Sequence, residues 1–180
     1  MRFLIVIPTY YPKLNKGGPI IALYNQLFYL SKKYYLEIVT SQNLSKLEKL
    51  IQRKNLNLNY NINNSNIFQF FFKIKKFDII YINSIFSFHS IKFILLSRVY
   101  NKKVFISPRG SVNKISLNKR RIQKLAIILL IKKFLKKEKT KFIVTSDLEK
   151  YEIINYFEKY KVEVLPNGLN TLDLYYPFKN

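Results

Sequence analysis

Short apolar runs alternate with stretches of helical period along most of this chain. Residues 2–8, RFLIVIP, form a β-rich run closed by a proline. Gly17, Gly18 and Pro19 then open the stretch 20–33, where Ile20, Leu23, Leu27 and Leu30 recur at the helical period. The runs 36–40, 78–82, 103–107, 141–145 and 162–166 read as buried strands, with helices at 88–100, 117–137 and 147–159 between them. Segment 43–54 has helical character. The Asn-dominated stretch 55–66 reads as a polar loop or a weak edge strand, and 67–72 as a short strand or a helical turn. Near-continuous apolar strands separated by helices predict a parallel sheet covered on both faces. The expected fold class is therefore α/β, a doubly wound parallel sheet of Rossmann-like type in a single domain.

Composition narrows this picture. A chain of 180 residues holds one domain with a real core, since roughly 150 residues already bury about 70% of their unfolded surface; two full domains do not fit. Hydrophobic content of 48% and a mean hydropathy of -0.07 describe a globular protein. The sequence has no cysteine and one histidine, which excludes disulfides, thiolate chemistry and multi-histidine metal sites. No metal or other cofactor is expected. The first apolar run is too short for a signal peptide and lacks a small-residue cleavage site, so a cytoplasmic protein is expected. The longest unbroken apolar run, 125–131, falls far short of the roughly 20 residues a bilayer span requires.

Net charge is +22, and its distribution matters more than its size: an excess of +24 over residues 1–146 is followed by -2 over residues 147–180. Lys, Asn, Ile, Tyr and Phe are all abundant, as an AT-rich coding sequence produces without selection for function. Compositional background and a functional basic face both remain open. Nucleic-acid readers interleave exposed aromatics with cations on one face, whereas the aromatics here fall mostly at core-period positions. That argues against a nucleic-acid partner, although a basic nucleic-acid-binding α/β module stands as an alternative class.

In open α/β sheets ligands bind beyond the carboxyl ends of the strands. Those ends are 9–19, 83–89, 108–111, 146–149 and 167–168. Gly17 and Gly18 ahead of a helix let backbone N–H groups approach a ligand, and the helix start favours an anion; a loop with Pro19 beginning the helix is the plainer reading. The spacing is not that of a dinucleotide-binding loop. Arg109 sets a fixed cation beside Gly110 at the mouth of the sheet, where a guanidinium suits phosphate or carboxylate or pairs with a surface acid. His89, the sole histidine, either faces the cleft as proton carrier or hydroxyl ligand or packs against Phe86 or Phe88. Ser146, with Glu149 three positions on, fits a capping box. Asn167-Gly168 is a turn dipeptide.

Four landmarks at these strand ends, taken in order, give the chain a resemblance to the N-terminal domain of family-4 retaining glycosyltransferases of the GT-B fold. They are Gly17-Gly18-Pro19; Asp78-Ile79-Ile80-Tyr81-Ile82-Asn83; Ser107-Pro108-Arg109-Gly110; and Thr145-Ser146-x-x-Glu149 followed by Leu165-Pro166-Asn167-Gly168. The resemblance implies a hexosyltransferase-like enzyme that moves a sugar from a nucleotide-sugar donor to a glycan or lipid-linked acceptor. It implies an acceptor-side domain over 1–170, with 171–180 beginning an interdomain linker, and no required metal. Gly17, Gly18, Asn83, His89, Arg109, Gly110, Ser146 and Asn167 would border the substrates. Two departures stand out: Tyr81 and Asn83 occupy a strand where many relatives carry histidines, and Asn170 replaces the usual aspartate.

The same family places most of the donor site, including a Glu-x7-Glu pair, in a second domain. No two glutamates here stand eight positions apart. The resemblance therefore implies that the chain alone is inactive unless a separately encoded second half completes the cleft. The stretch 117–137 has an apolar centre between basic ends, which suits a core helix with solvated ends or contact with an anionic membrane. A non-catalytic peripheral membrane protein at the inner face of the membrane is the remaining alternative.

Overall fold

The computed structural model describes residues 1–8, 18–40, 61–64, 71 and 73–167. The expected helix at 43–54, most of 55–72, Gly17, Gly168 and the expected linker lie outside them. Seven strands form one sheet: β1 Arg2–Ile7, β2 Tyr35–Thr40, β3 Asn61–Asn64, β4 Ile79–Asn83, β5 Lys103–Ser107, β6 Thr140–Val144 and β7 Lys161–Val164. Every pairing is parallel, and the spatial order is β3-β2-β1-β4-β5-β6-β7. The helices are α1 Gly18–Ser31, α2 Phe88–Val99, α3 Lys114–Asn118, α4 Arg121–Phe134 and α5 Asp147–Phe157. This is the doubly wound, Rossmann-like α/β sheet expected from the sequence, and the Asn-rich stretch contributes its edge strand.

Alternation along each strand divides the core in two. Phe3, Ile5, Ile7, Leu36, Ile38 and Ile79 face one side, where Leu23 and Leu27 of α1 cover them. Leu4, Val6, Ile80, Ile82, Val104, Ile106, Phe142 and Val144 face the other, beneath α2, α4 and α5. Each fully buried aliphatic or aromatic side chain stabilises by about 1.5–3 kcal/mol, so both faces contribute. The order reverses between β1 and β4, which opens a crevice at the carboxyl ends of the central strands.

The continuous helix expected over 117–137 is instead two helices. Lys119 is extended (φ -71°, ψ 111°) and Arg120 is left-handed (φ 60°, ψ 45°). Neither glycine nor proline marks the break. The elbow brings the Lys124 ammonium onto the Ser116 carbonyl and hydroxyl, where the unpaired carbonyls at the end of α3 favour a cation. Nor is the middle of the stretch a core on all sides. Ile128 and Ile131 are buried, whereas Ile122, Leu129 and Leu130 are 86%, 67% and 41% exposed. Among the described residues no helix is long and apolar enough to cross a membrane.

Candidate functional site

The loop leaving β5 reverses sharply because two consecutive residues are left-handed, Arg109 at φ 52° and Gly110 at φ 70°. A non-glycine residue in that region costs roughly 1–2 kcal/mol, so the conformation has to be held from outside. The Gly110 N–H donates to Glu149 Oε1 at 2.7 Å. Within the loop, the Ser111 hydroxyl donates to the Pro108 carbonyl at 2.6 Å. Asn113 then caps α3 by accepting the Ser116 N–H at 2.6 Å.

Glu149 is the hub of this end of the sheet. It is 6% exposed on the first turn of α5. Its Oε2 accepts the Thr145 N–H at 2.8 Å and the Thr145 hydroxyl at 3.0 Å. Ser146 is the N-cap and accepts the Glu149 N–H at 3.2 Å. Half of the capping box is therefore as expected. The other half is redirected: the carboxylate joins the ends of β5 and β6 to the start of α5. Hydrogen bonds to a charged acceptor contribute roughly 1.5–3 kcal/mol each, enough to offset the backbone strain at Arg109.

So held, Arg109 reaches across the sheet. One terminal nitrogen donates to Gln26 Oε1 on α1 at 2.9 Å, and the other donates to Asn167 Oδ1 just past β7. Among the described residues no carboxylate pairs with it, so the surface-acid reading finds no support there. Its buried Nε has no acceptor among the described residues. Arg109, Gly110, Ser146, Glu149, Glu152 and Asn167 border one cavity of about 320 Å³. Burial, and secondarily the neighbouring Glu149, raises the pKa of Glu152 above its ordinary value. One cation, two carboxylates and amide and hydroxyl groups around a small open cavity suit a ligand rich in hydroxyls.

Four of the predicted residues, Arg109, Gly110, Ser146 and Asn167, thus meet at one cavity, and the other described ones lie apart from it. Gly18 is the first residue of α1. Asn83 ends β4 in register with Ser107; it is 8% exposed, and its amide nitrogen has no acceptor among the described residues. His89 is the second residue of α2, edge-on to Phe88 with ring centroids 6.5 Å apart. Burial, followed by the nearby Lys92, lowers its pKa. Gln26 went unrecognised in the sequence because nothing marks a helical glutamine as an arginine partner. Glu149 was visible there as a cap and as part of a landmark, not as the acceptor that holds the β5 loop.

No family model and no curated protein matches the chain. Solved structures do. The crystal structure of Anabaena Alr3699/HepE in complex with UDP and glucose superposes with a TM-score of 0.66 at 12% identity, covering 97% of this chain and 46% of that one. The same protein in complex with UDP-glucose gives the same values. Glycyrrhiza uralensis UGT73P12, complexed with glycyrrhetinic acid 3-O-monoglucuronide, matches with a TM-score of 0.51 at 8% identity, over 91% of this chain and 48% of that one. Both neighbours are glycosyltransferases of the GT-B fold. At these identities the likeness establishes the fold, and the chain spans about half the length of each.

Proposed function

We propose that this chain is the acceptor-side half of a family-4-like retaining glycosyltransferase, taking a sugar from a nucleotide-sugar donor to a glycan or lipid-linked acceptor. The carrying observation is a fold match over 97% of this chain to 46% of HepE, whose crystals hold UDP-glucose. Past the carboxyl end of β5 Arg109, without an acid partner among the described residues, borders a cavity of about 320 Å³. In the proposed transfer an acceptor hydroxyl attacks the anomeric carbon as the bond to the nucleoside diphosphate breaks. The hydroxyl proton passes to the departing phosphate oxygen, and the new bond forms on the face the leaving group vacates. Arg109 and the cavity around it orient the acceptor or meet the developing negative charge.

In this reading residues 1–170 are the acceptor-side domain and 171–180 begin the link to a donor-binding half. That half supplies the phosphate-holding groups, and the present chain alone turns over no nucleotide sugar. Two measurements test this. The intact mass of the protein from its native cell, against 21.6 kDa for this sequence, tells whether the halves share one chain or need a separate partner. The native assembly is then assayed for release of nucleoside diphosphate from a panel of nucleotide sugars, with and without Arg109→Ala. Activity that falls by about 100-fold or more in the variant supports the proposal. Turnover by this chain alone would overturn its half-enzyme part, and an Arg109→Ala assembly as active as the native one would remove the site.

A further inference from the structure

Helix α5 carries two adjacent rows of side chains. Glu149, Ile153 and Phe157 are buried and belong to the domain interior. Leu148, Tyr151, Glu152, Asn155 and Tyr156 recur at the helical period, which sets them on one face, and they line a second cavity of about 450 Å³. The other wall comes from α3 and the start of α4, and the buried Val112 and Leu117 give the groove an apolar base. Leu148 and Glu152 also border the Arg109 cavity, so the two cavities share a wall. From Leu148 to Tyr156 the row extends ~12 Å along the helix. A ligand seated beside Arg109 therefore has a path into the groove.

The lining of this groove mixes apolar, amide and charged groups. Lys114 and Arg121 stand on the α3–α4 side, and neither makes an ion pair among the described residues. Among the described lining residues Glu152 alone is acidic; burial, and secondarily Glu149, raises its pKa, which weakens its opposition to a bound anion. Asn118 and Asn155 add amides that both donate and accept. Tyr151 is 70% exposed, and its ring meets no other aromatic ring among the described residues. A uronic acid has the matching features: a face of C–H groups for an aromatic ring, hydroxyls for amides and a carboxylate for Lys and Arg. We propose that this groove holds the inner sugars of an acidic oligosaccharide whose end sugar occupies the Arg109 cavity. The inference rests on the acceptor-side reading of that cavity and narrows its substrate to a uronate-bearing glycan of two or more sugars. Lys114 and Arg121 meet the carboxylate, Tyr151 packs on a sugar ring, and Arg109 holds the sugar that receives the transfer.

The test is calorimetric titration of the whole chain at physiological salt with tetrasaccharides of galacturonate, of mannuronate, and of glucuronate alternating with N-acetylglucosamine. Maltotetraose, free galacturonic acid and oligothymidylate serve as comparisons. One or more of the acidic tetrasaccharides is expected to bind about tenfold more tightly than maltotetraose or the single sugar. Lys114→Gln with Arg121→Gln should weaken that binding by about tenfold or more, and Tyr151→Ala by about fivefold. All three positions are exposed, so the circular dichroism spectrum and melting temperature should stay unchanged. Lys75→Gln with Lys76→Gln, in the turn before β4 at the opposite end of the sheet, should weaken binding by less than about twofold, since remote charges are screened. The proposal is overturned if no acidic tetrasaccharide binds, if Tyr151→Ala binds like the wild type, if the remote lysines give equal losses, or if oligothymidylate binds as tightly with the same dependence on these residues. None of these readouts needs sugar transfer. A native assembly that turns over no nucleotide sugar would remove the transferase reading while glycan binding still supports the groove, and one that transfers to neutral single sugars as well as to acidic tetrasaccharides would overturn the groove's role alone.

Discussion

Two loops at the same end of the sheet are held in opposite ways. The loop after β4 is closed mainly by its own residues, with one outward tie from the Ser84 N–H to the Ser107 carbonyl at 2.9 Å. Ser84 is left-handed at φ 80°, its carbonyl accepts the Ser90 hydroxyl at 2.5 Å, and Ser87 caps α2 by accepting the Ser90 N–H at 3.0 Å. Since Ser90 spends its hydrogen on Ser84, Ser87 donates in the 2.6 Å contact between the two hydroxyls. The loop after β5 is held from elsewhere: Glu149 lies 39 residues on from Gly110, Asn167 lies 58 on from Arg109, and Gln26 lies 83 before it. A locally closed loop forms with its own helix start. A loop tied to α1, α5 and the end of β7 takes its shape only when the domain is complete, so its geometry reports on the whole fold.

The largest break in this comparison is expected from Glu149→Ala. Three donors, two of them backbone N–H groups, lose one buried acceptor, and stability should fall by about 3 kcal/mol in urea unfolding. Glu149→Gln should recover only part of this, because its amide nitrogen would face a backbone donor. Arg109→Ala should cost less, about 1–2 kcal/mol, since its partners are neutral amides at a partly open surface. Hydrogen exchange should show the loss at α1 and past β7 as well as in the loop itself. Ser90→Ala should cost about 1 kcal/mol, with faster exchange confined to residues 84–91. An effect of Ser90→Ala that reaches Gly110 would erase the contrast.

The smallest effect is a pH dependence in the local loop. The folded pKa of His89 lies below its ordinary value of 6.5, so the unfolded chain binds its proton first as pH falls. Stability is full above the unfolded pKa and declines as pH drops through 6.5 toward the depressed folded value. The decline should be small, because the ring is only half-buried and solvent screens it. Urea midpoints between pH 7.5 and 5 should therefore slope less for His89→Gln than for the wild type. Identical slopes would mean that burial of the ring does not resist its charging.

The sheet was largely legible in the sequence because strands buried on both sides write themselves as unbroken apolar runs. The boundaries of β5 match to the residue, and those of β4 and β6 are shifted by one. The elbow at Arg120 was not legible. Left-handed arginine has no propensity signal, and what favours the break is a contact between Lys124 and the end of α3 that exists only after folding. The sequence left open whether the apolar centre of this stretch is covered, since periodicity shows that a side is apolar and cannot show whether the fold covers it; Ile122 and Leu129 are exposed. At the site, the backbone position of Arg109 could be placed from its strand end. Its bridge to Gln26 and Asn167 is a tertiary fact between residues that carry no mark in common. Glu149 shows the same limit, since a capping motif accounts for its spacing while its strongest contact is 39 residues away.

The place of β1 at the middle of the sheet has a consequence for how the chain is made. One side of it pairs with β2, and the other is filled by β4, whose first contacts lie 76 residues further along, where the Arg2 N–H meets Asp78. At a synthesis rate of about 5–20 residues per second, those 76 residues take roughly 4–15 s to emerge. For that interval on the ribosome, Leu4-Ile5-Val6-Ile7 presents a bare apolar strand edge. A pause in translation before Ile79 would lengthen the exposure of that edge to aggregation.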